Sequence, residues 1–380
     1  MRSRAAIVRE IGGAWAVEEF ELDAPRTGEV LVRMAAAGLC HSDDHIRNGF
    51  MAPPGTGPKT RPPTIGGHEG SGVVVEVGDG VTGLAPGDHV VTSFVAVCGR
   101  CRWCTSGMEY LCDKGAGVLV PGMPTDGTFR HHTVDGHDLG HTSKIGAFAE
   151  HTVVAADSLV KIDPAVPLVP AALLSCAIPT GYGSAAHRAH VRPGDTVVVV
   201  GVGGIGTVAV QGAKIKGATT IVAVDPVDSK RKSALTFGAT HCAASTAEAV
   251  ELVRDLTRGV MADAVIVAPS DITGEDIRAA LALTRKGGTC VLTGMAPAGP
   301  QPVLLDVQDL VLMNKNVCGT VFGSCNPRSE IPLLAAMYSS GQLMLDEMIT
   351  RRYRLDEIND AFDDLLRGDL IRGVIDFGIV

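Results

Sequence analysis

Cys98, Cys101, Cys104 and Cys112 form two successive C-x-x-C steps followed by one longer step. Four thiolates at that spacing can surround a single ion. Zinc bound by four sulfurs is tetrahedral with no open position, so the motif reads as a structural metal knot. Two disulfides or four unrelated thiols are the alternatives, but disulfides need an oxidising compartment, and nothing in the sequence indicates export. A closed knot stabilises a lobe; reaction chemistry has to come from elsewhere.

Gly201-Val202-Gly203-Gly204-Ile205-Gly206 is a G-x-G-x-x-G string directly after the apolar, β-branched run Thr196 to Val200. Gly201 permits a tight turn, Gly203 lets backbone approach a pyrophosphate, and Gly206 allows close helix–strand packing. The helix that Gly204 and Ile205 open offers N–H groups and a positive dipole end to phosphate. Asp225 ends the next strand, about twenty residues on, where a carboxylate accepts hydrogen bonds from adenosine ribose hydroxyls. It also repels a 2′-phosphate, so NAD is expected over NADP. Lys230 is either a second ribose contact or a solvated helix lysine.

The densest remaining functional side chains lie in Cys40-His41-Ser42-Asp43-Asp44-His45 and Gly66-Gly67-His68-Glu69-Gly70. A catalytic zinc needs three protein ligands and one open position. Cys40, His68 and Cys176 would supply two thiolates and an imidazole, although spacing alone does not group them. Cys242, Cys290, Cys318 and Cys325 read as core or inert thiols.

These residues need two kinds of scaffold. Residues 1–177 are rich in Gly, Pro and short β-like runs, among them Leu31–Met34, Gly72–Val77 and His89–Thr92, with the knot at about 95–115 as an excursion. Residues 178–320 alternate strands at 196–200, 220–225, 263–267, 289–293 and 317–321 with helices at 204–216, 228–237, 246–258 and 274–285. That alternation predicts an α/β doubly wound parallel sheet. Residues 321–380 carry amphipathic segments at 328–340 and 356–367 and a strand at Gly373–Phe377, read as a return to the first lobe. The Pro/Gly-rich stretch 51–63 is a loop, either a substrate entrance or plain surface.

A net charge of −9 argues against nucleic-acid and anionic-membrane partners, and only 4% aromatic residues argues against a base-stacking platform. Arg9 and Glu10 interrupt the N-terminus before any signal-like core forms, and Pro164, Pro167, Pro170 and Pro179 break the most apolar later stretch. A cytoplasmic protein is expected.

C-H-S-D-D-H, G-G-H-E-G, the cysteine knot, C-A-I-P-T-G-Y-G at 176–183 and the glycine string occur in the order found in zinc-dependent medium-chain alcohol dehydrogenases. The chain resembles that family over essentially its whole length. The resemblance implies a GroES-like β-rich catalytic domain, a Rossmann domain and two Zn²⁺ per chain. It places catalytic zinc on Cys40, His68 and Cys176, with Glu69 an alternative ligand. It further implies that Ser42 starts a proton relay, His45 continues it and Asp43 orients His68. His41 and Arg372 would contact phosphate, Thr180 would lie near the nicotinamide, and Thr293 and Phe322 would serve its carboxamide. Substrates would be small alcohols or aldehydes, and the protein a homodimer or homotetramer pairing through edge strands near 289–293 and 317–321.

Several local strings resemble the nicotinoprotein, NDMA-dependent branch: residues 66–70, V-D-P-V at 224–227, M-A-D at 261–263, G-E-D-I at 274–277 and F-G-S-C-N-P-R at 322–328. That branch implies NAD(H) permanently bound and reoxidised by an external carrier. The competing readings are a thiol-adduct formaldehyde dehydrogenase, a zinc-free NADPH quinone reductase and a non-catalytic zinc-stabilised binding module. A complete catalytic ligand set disfavours the quinone reductase, and Ser42 with His45 disfavours the binding module.

Overall fold

A computed structural model describes residues 1–51 and 63–378, so most of the 51–63 loop lies outside the described residues. The chain divides into two compact units: residues 1–176 with 326–380, and residues 177–325.

In the first unit, the strands Arg2–Val8, Ala16–Leu22, His131–Thr133, Asp138–His141 and Thr64–Ile65 close a small barrel. Beside it lies a seven-stranded sheet centred on Glu29–Gly38. This strand pairs antiparallel with Glu69–Val77 on one side. Near its end it pairs antiparallel with the C-terminal strand Arg372–Asp376. Glu29–Gly38 is buried at every position except Arg33, as expected for a strand covered on both faces. Val30, Val32, Met34 and Ala37 pack in one core with Trp15, Phe148 and the C-terminal Tyr353, Phe362 and Ile375. The amphipathic tail therefore belongs to the N-terminal core.

The second unit holds one parallel sheet in the spatial order His241–Ala243, Thr220–Val224, Thr196–Val200, Ala262–Val267, Thr284–Leu292, Asn316–Gly319. Numbered along the chain, that order is 3-2-1-4-5-6, the dinucleotide-binding arrangement. Thr196–Val200 is buried throughout and sits at the point where the order reverses. The glycine string follows it there. Thr284–Leu292 pairs on both sides, with Ala262–Val267 and Asn316–Gly319, so the strand expected near 289–293 is interior and of the two expected edge strands only Asn316–Gly319 ends the sheet. Three further details depart from the sequence expectation. His241–Ala243 is a strand, the segment expected at 289–293 starts at Thr284, and Val307–Leu312 forms a further helix. The first is only three residues long, and the second follows helix Gly274–Leu283 with no intervening turn residue. Neither leaves a clear periodic trace. Among the described residues no single helix is long and apolar enough to cross a membrane.

Arg130 and Glu29 are both fully buried and joined by two 2.7 Å hydrogen bonds, Nε to Oε2 and NH2 to Oε1. Asp126 takes a further bond from Arg130 at 2.6 Å. Removing one partner of a buried ion pair strands the other charge. Glu29→Gln is expected to destabilise the first unit by about 3 kcal/mol, the lower end for such pairs because Asp126 remains. Thermal unfolding of the variant measures this, and an unchanged midpoint would contradict it.

Candidate active site

Cys40 immediately precedes the helix His41–Arg47, and its extended backbone (φ −133°, ψ 144°) turns the chain from strand Glu29–Gly38 into that helix. His68 and Glu69 stand at the start of the neighbouring strand Glu69–Val77. Cys176 ends the 3₁₀ turn Ala172–Ser175. Ser175 fastens that turn to the strand: Gly70 N donates to Ser175 Oγ, which donates back to Gly70 O, both at 2.8 Å. One ligand atom from each of Cys40, His68, Glu69 and Cys176 lies within 4.8 Å of the others, and all four residues are buried.

The charges explain the packing. His68 Nδ1 lies 3.0 Å from Asp43 Oδ1, leaving Nε2 as the nitrogen available to a metal. Burial opposes the charged imidazole, yet Asp43 and then Cys40 raise His68 well above its ordinary value. A hydrogen bond from Cys176 pulls the Cys40 thiol well below its usual range against burial, and the same bond pushes Cys176 up. Glu69 is fully buried and paired with the Arg372 guanidinium. Burial raises its carboxyl to about 7 against the pull of Arg372, and Cys40 adds to the rise. The pair meets across Gly38, where a Cβ would come within 2.4 Å of Glu69 Oε2. Glu69 Oε1 has no hydrogen-bond partner among the described residues. Two sulfurs, an imidazole nitrogen and a carboxylate oxygen aimed at one small volume suit zinc.

Ser42 is half-buried and His45 buried, both on helix His41–Arg47; His41 is its first residue and half-buried. Arg372 sits beside the Cys40–His68–Glu69–Cys176 cluster as the partner of Glu69, a contact its sequence position does not advertise.

The knot cysteines also converge. The Sγ···Sγ separations are 3.6 Å for Cys101–Cys104, 3.9 Å for Cys101–Cys112 and 4.0 Å for Cys98–Cys104. A tetrahedron of 2.3 Å zinc–sulfur bonds has edges of about 3.8 Å, whereas a disulfide needs about 2.05 Å. All ten cysteines are free. Backbone N–H groups of Cys104 and Asp113 lower Cys101 to about 6, favouring thiolate. The lobe is braced by the C-terminal segment: Asn326 accepts from Glu109 N at 2.9 Å and donates to Gly107 O at 3.0 Å, and Arg328 donates to Val97 O.

In the second unit Gly201 has φ +81°, and a Cβ on Gly206 would lie 1.8 Å from Gly201 O. A Cβ on Gly203, the N-cap of helix Gly204–Ile215, would meet nothing within 4 Å. Free space over a helix N-terminus fits a pyrophosphate. Asp225 is buried and braces the turn, accepting from Val202 N at 3.0 Å and Val227 N at 2.9 Å. Lys230 is half-buried, and it is Arg231 that donates to Asp225 O, at 2.7 Å. Ser184 ties two of the remaining residues together, donating to Thr180 O at 2.7 Å and lying 3.0 Å from Thr293 Oγ1. Phe322 is buried with φ +54°.

Residues 26–164 match the alcohol dehydrogenase GroES-like domain and residues 204–340 the zinc-binding dehydrogenase domain. An NDMA-dependent alcohol dehydrogenase of Amycolatopsis methanolica is 46% identical, with 99% of each chain covered. The chain belongs to the zinc-dependent medium-chain alcohol dehydrogenases. Alcohol dehydrogenase B of Mycobacterium tuberculosis is 45% identical over 99% of this chain and 98% of its own. The crystal structure of benzyl alcohol dehydrogenase from Acinetobacter calcoaceticus superposes with a TM-score of 0.90 at 29% identity, covering 99% of both chains.

Within this dehydrogenase, sequence reading missed Ser175, Gly38 and Ser184 as organisers of the two sites. None stands in a motif; only the pairing of distant segments reveals them. The two cysteine groups should respond differently to substitution. Cys176→Ser is expected to abolish alcohol oxidation beyond the roughly 10- to 100-fold typical of residues one step behind a metal, with the fold retained. Cys101→Ser is expected to lower the thermal midpoint and the zinc content of the lobe. Activity assays, circular dichroism and metal analysis separate the two; full activity in a Cys176→Ser protein shown to lack that zinc would refute the ligand assignment.

Proposed function

We propose that this alcohol dehydrogenase carries two zinc ions per chain, oxidises a small alcohol to an aldehyde or ketone, or runs the reverse, and keeps NAD(H) bound through turnover. The observation that carries the redox reading is the buried Cys40–His68–Glu69–Cys176 cluster in a chain that also holds a pyrophosphate turn braced by Asp225. When bound, zinc supplies a Lewis acid for the alcohol oxygen and NAD the hydride acceptor.

Cys40, His68 and Cys176 would hold the catalytic zinc, with Glu69 the alternative donor. Asp43 keeps the proton on Nδ1 of His68, so that Nε2 stays available. Ser42 takes the alcohol proton at Oγ, and His45 passes it onward. Arg372 pairs with Glu69 and opposes the rise that burial imposes on its carboxyl. In the second unit Asp225 accepts from the ribose hydroxyls and disfavours a 2′-phosphate, while Thr180, Thr293 and Phe322 line the nicotinamide end. His41 and Arg372 are the proposed phosphate contacts, Arg372 pairing with Glu69 as well.

Retention of the nucleotide rests on the 46% identity to an NDMA-dependent relative together with the local strings at 66–70, 224–227 and 322–328. On that reading an external carrier reoxidises NADH in place. Desalted protein mixed with alcohol is expected to develop reduced-nicotinamide absorbance equal to one equivalent per chain and then stop until an artificial acceptor is added. Repeated reduction of free NAD would show an exchanging enzyme instead.

The second unit is also read as a homo-oligomer surface. Leu304, Val307, Val311 and Leu312 are 84, 65, 67 and 67% exposed beside the edge strand Asn316–Gly319. Apolar exposure next to an unpaired strand edge favours pairing with a second copy. Sedimentation is expected to give a dimer or tetramer, and Val311→Asp a smaller species; a monomeric parent would overturn the reading.

A further inference from the structure

The helix His41–Arg47, which holds Ser42 and His45, is anchored at its C-terminal end. Asp44, 6% exposed, accepts from Arg47 Nε and NH2 at 3.1 and 2.6 Å and from Asn48 Nδ2 at 2.8 Å. Arg47 NH1 donates to Gly13 O at 2.8 Å, and Gly12 N donates to Arg47 O at 2.9 Å. The next turn reverses the chain. Gly49 has φ +76°, and a Cβ there would press to 3.0 Å against the Ile11 side chain. Met51 N then returns to His45 O at 3.4 Å. This reversal lays the Phe50 ring on the His45 imidazole, with centroids 4.2 Å apart and planes inclined by only 22°.

We infer that Phe50 is a positioning residue for the proton relay: its ring fixes the plane of the His45 imidazole so that both ring nitrogens keep the directions proton transfer needs. The inference rests on the proposed role of His45. A terminal ring torsion is broad and two-fold, so helix geometry alone does not set the plane of the ring. Proton transfer demands hydrogen-bond reach and alignment. A stacked aromatic neighbour supplies the missing constraint, and the Gly49 turn with the Asp44–Arg47–Gly13 bracing holds that neighbour in place. Simple apolar cover is the competing explanation. It requires only volume at position 50, whereas positioning requires a flat ring.

The test compares Phe50→Leu, Phe50→Tyr and His45→Ala in the intact enzyme, following single-turnover reduction of nicotinamide by alcohol. Phe50→Leu keeps apolar bulk without a ring; its rate is expected to fall roughly tenfold with KM for alcohol unchanged, as loss of an aromatic pair allows. Phe50→Tyr is expected to restore the parental rate. In proton NMR, the His45 Cε1–H signal, identified by its loss in His45→Ala, is expected to be shifted upfield by the Phe50 ring current. That shift should vanish in Phe50→Leu and persist in Phe50→Tyr. Adding Phe50→Leu to His45→Ala is expected to cost nothing more. A Phe50→Leu enzyme with parental rate, or equal losses in the presence and absence of His45, would overturn the positioning role while leaving the relay intact. A parental rate in His45→Ala would instead remove the relay itself, and the inference with it.

Discussion

Two sulfurs, an imidazole and a carboxylate share a buried volume in which no ligand atom is more than 4.8 Å from another. Low-dielectric surroundings punish unbalanced charge at that density, and cations set among the donors are the remedy. Arg372 supplies one positive charge to Glu69, and a divalent ion suits the remaining donors. Much of the local architecture serves this balance. Gly38 leaves room for the ion pair, Ser175 ties the Cys176 turn to the strand bearing Glu69, and Asp43 faces the far side of His68.

The knot solves a different problem with similar chemistry. Its sulfurs come from one short stretch and are met by backbone N–H groups, with Cys98 N on Cys112 Sγ and Cys101 N on Cys98 Sγ, both at 3.3 Å. Asn326 and Arg328 hold the lobe from the C-terminal segment. Part of the string F-G-S-C-N-P-R that resembles one branch of the family therefore has a mechanical task, independent of any role in nucleotide retention.

Legibility followed sequence distance. The α/β class and the parallel sheet could be read because Thr196–Val200 is an unbroken β-branched run and each following helix has its own period. The cysteine knot could be read because all its candidate ligands lie within fifteen residues of one another. The pairing of Arg372 with Glu69 spans 303 positions, and no local pattern encodes it. Reading Arg372 only as a phosphate contact overlooked its place beside the candidate metal ligands. Strand His241–Ala243 escaped notice because three residues carry no periodicity, and Phe50 because a left-handed turn at Gly49 redirects it. The 51–63 loop lies largely outside the described residues, and its two readings stand as they did.

The strand Arg372–Asp376 lies between Glu29–Gly38 and Ile349–Tyr353 in the sheet of the first unit. On the ribosome, domains fold as units and N-terminal segments emerge first. The second unit is one continuous stretch, 177–325, and all its strands are available once that stretch has emerged. The first unit is different: its opening 176 residues must wait, with the partner of Glu69 unmade, until residue 372 is translated. The first unit, though its strands begin before those of the second, is thus completed after it, and the Arg372–Glu69 pair beside the Cys40–His68–Glu69–Cys176 cluster forms only once residue 372 has emerged.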